Sequence, residues 1–150
     1  MKRLVMMIVV GLVLAACGSG DGKWVDHAYT AVGDDTDPDK LVKTTVFQPS
    51  DDLNVVVVLG SHNRDLAAMA VFTDPTGRSI PTDVLELDKT VGPVTFGLDF
   101  EQSGEQNWTA GDWRVDVYVG EPQKNVDFVP TDDNFQTGIK FRVEAPTQAG

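Results

Sequence analysis

Three segments of this chain alternate apolar and polar side chains with a period of two residues. In residues 113–119 a tryptophan and three valines occupy every second position, with arginine, aspartate and tyrosine between them. Residues 94–100 and 139–143 repeat the pattern with phenylalanine, leucine, isoleucine and valine. Because successive side chains of a β-strand point to opposite faces, this pattern predicts half-buried strands, each with one face in solvent.

Other segments are also typical of strands. Residues 53–59, LNVVVVL, are apolar on both faces, which predicts a central strand of a sheet. Residues 66–72 form a further strand that ends before Asp74-Pro75-Thr76-Gly77, a turn sequence. Weaker strand patterns occupy residues 24–31, 41–47 and 80–87. About eight strands separated by turns, without a sustained helical period, predict an all-β antiparallel sandwich of 7–9 strands.

The 150 residues suit a single domain. We place the sandwich at residues 24–144 and expect residues 145–150 to form a frayed tail. The strand patterns predict a core that includes Trp113, Val115, Val117, Phe96, Leu98, Val57 and Phe141.

The N-terminal segment differs in composition from the rest of the chain. Lys2 and Arg3 precede thirteen uncharged residues, 4–16, with the sequence LVMMIVVGLVLAA. As a helix this stretch would span about 20 Å, which is short of a bilayer core of about 30 Å. A basic start, a short apolar segment and small residues at its end are typical of a secretory signal peptide.

The end of this segment, Leu14-Ala15-Ala16-Cys17, resembles the lipobox of bacterial lipoproteins. The resemblance implies a signal peptide at residues 1–16, cleavage before Cys17 and a diacylglycerol on the Cys17 thiol. Residues 17–23 would then be a lipidated N-terminus and linker. In enteric-type sorting, Gly18 in place of aspartate favours the outer membrane if the host has two membranes. The alternative is an ordinary secretory signal that leaves Cys17 as a free thiol.

Residues 108–119, with Trp108, a turn at Gly111, Trp113 and alternating valines, carry a second resemblance. They look like the late hairpin of immunoglobulin-like sandwich domains in bacterial envelope proteins. The resemblance covers residues 41–144 and implies an immunoglobulin-like fold. The chain departs from that family by having Trp113 where tyrosine is commoner. It also has no cysteine pair for a disulfide between the sheets. Since sandwich domains host many functions, the likeness says little about activity.

The chain has 12 basic and 23 acidic residues, a formal net charge of −11. This charge argues against nucleic acid and anionic lipid headgroups as main partners, because both would be repelled. A single cysteine excludes an intramolecular disulfide framework and a thiolate-cluster metal site. We therefore expect the membrane to be reached through the lipid on Cys17 rather than through the protein surface.

The search for a catalytic site finds only two histidines. His62 lies in the polar turn Ser61-His62-Asn63-Arg64-Asp65, and neighbours on a tight turn cannot align in series as a nucleophilic triad. His27 alternates with Val25 and Tyr29, which places it on a strand face, packed or hydrogen-bonded. We expect no catalytic residues, no cofactor and no enzymatic activity.

An acidic run, Asp34-Asp35-Thr36-Asp37-Pro38-Asp39, has carboxylates at alternate positions, as does the start of a calcium-binding loop. The match fails further on, because Lys40 stands in place of the turn glycine and Val46 in place of the bidentate glutamate. Asp51-Asp52 and Asp132-Asp133-Asn134 offer further oxygens on other loops. Solvated loop carboxylates at Asp35, Asp37 and Asp39 are favoured over a cation site, and no metal is predicted.

The connection at residues 120–138 is long for a sandwich, and long loops are often functional. Its apolar residues either fold back on the sandwich edge, with residues 126–129 as a short extra strand, or expose an aromatic anchor. In the second case Phe128 or Phe135 would contact an envelope partner.

Two functions stay open. The chain is expected to be a membrane-anchored, non-catalytic binding or assembly module of the cell envelope that contacts a protein or glycan. The alternative is a structural or accessory subunit of a larger envelope complex.

Overall fold

The computed structural model describes residues 23–89 and 92–148. Within this part of the chain there are ten strands, a one-turn helix α1 at Phe100–Ser103 and a 3-10 turn at Pro38–Lys40. Cys17 and the predicted signal peptide lie outside the described residues. The strands, numbered along the chain, are β1 Val25–Val32, β2 Val42–Lys43, β3 Val46–Phe47, β4 Leu53–Leu59, β5 Asp65–Thr73, β6 Ser79–Pro81, β7 Leu85–Asp88, β8 Gly92–Leu98, β9 Gly111–Gly120 and β10 Phe135–Val143.

The strands form two sheets. One has the order β2-β1-β4-β8, and the other has the order β3-β10-β9-β5-β6, with β7 also paired to β5. Every pairing is antiparallel except the short one between β3 and β10. The neighbours β5-β9-β10 match the C-F-G order of an immunoglobulin sandwich, and β4-β8 match its B-E pair. The predicted all-β sandwich is confirmed.

The inward faces of both sheets meet in one hydrophobic core. Trp113 is 1 % exposed, and its indole stacks on the Phe141 ring with the centroids 5.9 Å apart. All the predicted core residues are buried except Leu98, which is half-buried at the margin of the core. β4 pairs with β1 on one edge and with β8 on the other, so it is the central strand that its sequence predicted.

Two predicted strands are each divided in the structure, which raises the number of strands to ten. Residues 41–47 form β2 in one sheet and β3 in the other, because the chain crosses between the sheets at Thr44 and Thr45. Residues 80–87 form β6 and β7, separated where the Thr82 hydroxyl accepts a hydrogen bond from the Ala70 amide. A period of two residues reveals neither which sheet a strand joins nor where its pairing with a neighbour is interrupted, so neither division was predictable.

The predicted strand at residues 94–100 ends two residues earlier, at Leu98. The Asp99 carboxylate accepts a hydrogen bond from the Gln102 amide (3.0 Å) and caps α1, so Phe100 begins a helical turn instead. Residues 144–148 follow β10 without regular structure, and their side chains are exposed.

The sandwich has two ends of different character. Near the end where the described chain begins, the Gly60 amide donates to the Trp24 carbonyl (2.9 Å). We call this end the near pole, and it includes the connections at residues 60–64 and 121–134. The opposite end, the far pole, consists of the connections at residues 33–41, 48–52, 74–78 and 99–110. In the described part of the chain, no helix is long and apolar enough to cross a bilayer.

Candidate functional site

An open groove of about 1300 Å³ lies at the far pole. Residues 33–36 form one side and α1 forms another, while the third side runs from Arg78 to Asp83. Asn54 and Gly97, on neighbouring strands, contribute to its floor. The groove therefore draws on connections of both sheets, which brings together residues that are far apart in sequence.

The groove is strongly acidic. It is lined by eight carboxylates and one cationic side chain, Arg78. The carboxylates belong to Asp34, Asp35, Asp51, Asp52, Asp83, Asp99, Glu101 and Glu105. Apolar surface lies among them at Ile80, Leu98, Phe100 and Trp108. Carboxylates of one sign in a concave surface attract cations and repel anions, and the apolar patches can pack against methylene groups of a ligand.

Hydrogen bonds to the connection before β4 hold the wall around α1 in place. The Phe100 amide donates to an Asp52 carboxylate oxygen (2.8 Å), and the Trp108 indole N–H donates to the Asp51 carbonyl (2.7 Å). The rings of Phe100 and Trp108 meet edge to face at 5.6 Å. Because Trp108 is only 3 % exposed, it fixes the loop between α1 and β9 to the connection before β4.

Arg78 is tied to two carboxylates at the margin of the groove. Its Nε lies 3.2 Å from Asp74 Oδ2, and its Nη1 lies 2.9 Å from Glu105 Oε1. The hydrogen bond with Glu105 raises the pKa of Arg78 above its ordinary value. This cation therefore neutralises part of the groove and leaves most of its carboxylates without a basic partner inside it.

Asp74 organises the turn that carries Arg78. Its side chain is buried, and Oδ1 accepts hydrogen bonds from the Thr76 amide, the Thr76 hydroxyl and the Arg78 amide. Burial raises the pKa of Asp74, but these hydrogen bonds and the charge of Arg78 outweigh it, so the net shift is downward. Asp74 thus acts as a buried anion that shapes the β5–β6 turn.

The predicted acidic run at residues 34–39 does not converge on one point. Asp34 Oδ1 accepts from the Thr36 amide and hydroxyl, which lowers the pKa of Asp34, while Asp37 pairs with Lys40 at 2.6 Å. Only Asp34 and Asp35 reach the groove. Among the residues of the described ranges, no group of three or more histidine, cysteine, aspartate or glutamate side chains is placed to hold a metal ion.

The two histidines lie away from the groove. His27 is on the outer face of β1, where its Nδ1 lies 2.8 Å from Asp26 Oδ2 and its ring stacks on Tyr29. His27 is thus hydrogen-bonded on a strand face with Tyr29, as predicted, but Val25 points into the core because the register of β1 shifts between Val25 and His27. His62 is half-buried in the near-pole connection at residues 60–64, with Nδ1 2.8 Å from the Arg64 carbonyl oxygen and its ring edge against Trp24.

The predicted aromatic anchors both lie at the near pole, in different settings. The connection spans residues 121–134, and the extra strand predicted at residues 126–129 does not form. Phe128 is half-buried, and its ring lies against the end of β9, with Cε2 3.5 Å from the position of a Cβ on Gly120. Phe135 begins β10, is 39 % exposed and meets the Tyr118 ring edge to face at 5.9 Å.

Sequence reasoning identified part of the groove and missed the rest. Asp34, Asp35, Asp51 and Asp52 were recognised as acidic loop residues, and the fold brings these four together at the far pole. The carboxylates at residues 83, 99, 101 and 105 and the role of Arg78 were missed. Asp83 and Asp99 fell inside the predicted strands at residues 80–87 and 94–100, and the strand pattern does not show at which pole Arg78, Glu101 and Glu105 lie. Asp132 and Asp133 lie at the near pole, away from the groove.

No protein-family model matches this chain, and a search of the curated proteins finds no significant match.

Proposed function

We propose that this chain is a lipid-anchored protein of the cell envelope, in which an immunoglobulin-like sandwich acts as a non-catalytic binding module. Its far-pole groove binds a cationic ligand, such as a basic segment of an envelope protein. The single observation that carries this proposal is the open groove with eight carboxylates and one arginine. In a host with two membranes, the outer membrane is the proposed location.

The arrangement of the poles supports a membrane-anchored role. Five residues, 18–22, separate the proposed lipid site at Cys17 from Lys23, where the described chain begins. A chain of this length reaches at most about 20 Å when fully extended. A lipid on Cys17 would therefore hold the near pole close to the bilayer, and the groove at the opposite pole would be directed away from it.

The chemistry of the groove favours a basic polypeptide segment. Its volume exceeds the 300–1000 Å³ typical of small-molecule sites, and it is open rather than enclosed. Lysine and arginine side chains combine a cationic end with an apolar stem, which fits carboxylates interleaved with the half-buried Ile80, Leu98 and Phe100. The same carboxylates would repel nucleic acid and other polyanions.

Binding can be tested with an octa-arginine peptide and the fluorescence of the protein's tryptophans, since Trp108 lines the groove. A far-pole variant combines Asp34→Asn, Asp35→Asn and Glu101→Gln. A near-pole variant combines Glu121→Gln, Asp127→Asn and Asp133→Asn and changes the net charge equally. We expect the far-pole variant to lose about tenfold in affinity, because each exposed ion pair contributes about 0.5 kcal/mol. Equal losses in both variants would contradict a groove site.

The anchor is tested separately from the groove. Cys17→Ser should release the protein from membranes or block its processing, because only a thiol provides the nucleophile for lipid transfer. Intact-mass measurement of the wild-type protein purified from membranes should show the added acyl mass. A free Cys17 thiol would overturn the lipoprotein proposal and leave the groove proposal standing.

Mild crosslinking in the native envelope distinguishes the binding module from an accessory subunit. A single stoichiometric partner, captured through a photo-reactive residue at position 101 but not at position 127, supports a binding module. Capture of the same multi-protein assembly from both poles favours the structural role.

A further inference from the structure

Asn54 is a buried polar residue on the outward side of its sheet. It lies in β4 between Leu53 and Val55, which both point into the core, so its own side chain points the other way. On that face it is flanked by Ala31 of β1 and Gly97 of β8. Nevertheless, Asn54 is only 1 % exposed. An amide in such a position needs hydrogen-bond partners, because burying it without them costs about 1–3 kcal/mol.

The partner of the Asn54 amide is the first residue of the acidic connection. Its Nδ2 donates to the Gly33 carbonyl oxygen at 2.7 Å. Its Oδ1 lies over Gly97, where an added Cβ would overlap this oxygen and would come within 3.4 Å of Asp35 Oδ2. The side chain therefore occupies the space that a larger residue at position 97 would need.

Gly33 starts the connection with a φ of +133°, a region that residues with a Cβ rarely adopt. A Cβ at this position would lie 3.2 Å from the Lys40 carbonyl oxygen, so the beginning and end of the connection touch. Inside it, the Lys40 amide donates to the Asp37 carbonyl (2.9 Å). The connection is thus a closed loop, and the bond from Asn54 to Gly33 fixes it to the sheet.

We infer that Asn54 is the positioning residue that sets the loop at residues 33–41 as the acidic wall of the groove. Gly97 leaves room for the Asn54 amide. Release of this contact would free Asp34 and Asp35 from the groove without disturbing the core, because the Asn54 side chain points away from it. The consequence for ligand affinity rests on the proposed function, whereas the position of the loop does not.

Gly97→Ala tests the contact without removing the amide. The added methyl group must displace Asn54, so the amides of Asp37, Lys40 and Leu41 should exchange hydrogen at least about tenfold faster, the equivalent of one net hydrogen bond. Thr95→Ala, two residues away on the same face of β8, is the matched control and should leave this exchange unchanged. Unchanged exchange in Gly97→Ala would overturn the inference.

Asn54→Asp distinguishes a hydrogen bond from simple space filling. A neutral carboxyl group can donate its O–H to the Gly33 carbonyl, whereas a carboxylate is repelled by that oxygen. The charged groups that line the groove around position 54 are carboxylates such as Asp34, Asp35, Asp52 and Asp99, with Arg78 as the cation. The loop of this variant should therefore exchange like wild type in acid and faster than wild type at neutral pH. An exchange ratio that does not change with pH would contradict the positioning role.

Octa-arginine binding completes the test. If wild type binds the peptide, Gly97→Ala should bind at least threefold more weakly, whereas Thr95→Ala should bind like wild type. Unchanged affinity despite faster loop exchange would show that this wall does not contribute to binding, which would contradict the groove proposal while supporting the role of Asn54 in placing the loop. If wild type does not bind the peptide, the proposed function fails, and the role of Asn54 in placing the loop is judged by exchange alone.

Discussion

The two poles of the sandwich differ in how many connections form their surface. At the near pole one connection of fourteen residues, 121–134, exposes apolar side chains at Val126 and Val129. At the far pole three shorter connections, 33–41, 48–52 and 99–110, contribute seven of the eight carboxylates of one groove, and Asp83 is the eighth. The sequence drew attention to the long connection, whereas the larger concave surface comes from short ones. In this molecule the larger groove is therefore indicated by the several connections that converge at one pole, and not by the longest connection.

The largest expected effect comes from the hydrophobic core, which supports the connections at both poles. Trp113 is 1 % exposed and contacts Phe141 and Trp108 in the core. Trp113→Ala should lower the free energy of unfolding by about 3–5 kcal/mol, since a buried tryptophan leaves a large cavity. Urea denaturation followed by circular dichroism measures this change. Trp24→Ala, at a half-buried tryptophan of the near pole, is the control and should cost less than half as much.

This core is the part of the molecule that the sequence predicted best. Alternation identified β9 and β10, and the two-sided apolar run identified β4 with its observed bounds, Leu53–Leu59. Leu98 was predicted to be buried and is half-buried, because β8 ends there and α1 follows. Burial of one face is a property of each strand alone, so it can be read without knowing the strand's neighbours.

The second prediction concerns the far pole alone. Asp74→Ala should lower stability by about 2 kcal/mol at neutral pH, because it removes a buried anion with three hydrogen-bond donors and an ion pair. The folded-state pKa of Asp74 lies below its ordinary value of 3.8, so its contribution is present above that pH. It is lost as the pH falls through the lowered pKa.

Thermal unfolding of wild type and Asp74→Ala between pH 7 and pH 2 measures how the stabilising contribution of Asp74 depends on pH. The difference between wild type and Asp74→Ala should narrow below about pH 4, because protonated Asp74 no longer pairs with Arg78. A difference that stays constant over this range would mean that the carboxylate charge is unimportant and that Asp74 acts by packing.

The groove could be predicted only in part. The sequence shows that residues 34–39 and 51–52 are acidic and lie outside strands, but proximity depends on which strand ends share a pole. That information lies in the pairing register, such as Leu53 of β4 opposite Leu98 of β8, which places Asp52 beside Phe100. The hydrophobic pattern of a single strand does not encode its partner, so α1 and its carboxylates could not be joined to the groove in advance.

A third prediction separates the two near-pole aromatics. Phe128 is half-buried against the end of β9, whereas Phe135 is 39 % exposed. Phe128→Asp should therefore lower the free energy of unfolding by about 1–2 kcal/mol, and Phe135→Asp should lower it by less. If a partner binds at this pole, Phe135→Asp should reduce its capture without a large change in melting temperature. Equal destabilisation by both substitutions would make Phe135 part of the fold and remove it as an anchor.

The smallest expected effect concerns a pair of carboxylates at the near pole, where the charge of an aspartate lowers the stability at neutral pH instead of raising it. At the near pole Asp65 of β5 lies directly opposite Asp88 of β7, and the interaction with Asp88 raises the pKa of Asp65. A carboxylate with a raised folded-state pKa destabilises the fold at neutral pH, and this cost fades as the pH falls through that pKa. Asp88→Asn should thus raise the melting temperature slightly at pH 7, because an amide can donate to the Asp65 carboxylate. The gain should shrink in acid, as should the loss caused by Asp74→Ala, but the two substitutions change stability in opposite directions at neutral pH. Asp127→Asn removes the same charge from the near pole without altering a cross-strand pair, so an equal gain from both variants would trace the effect to net charge alone.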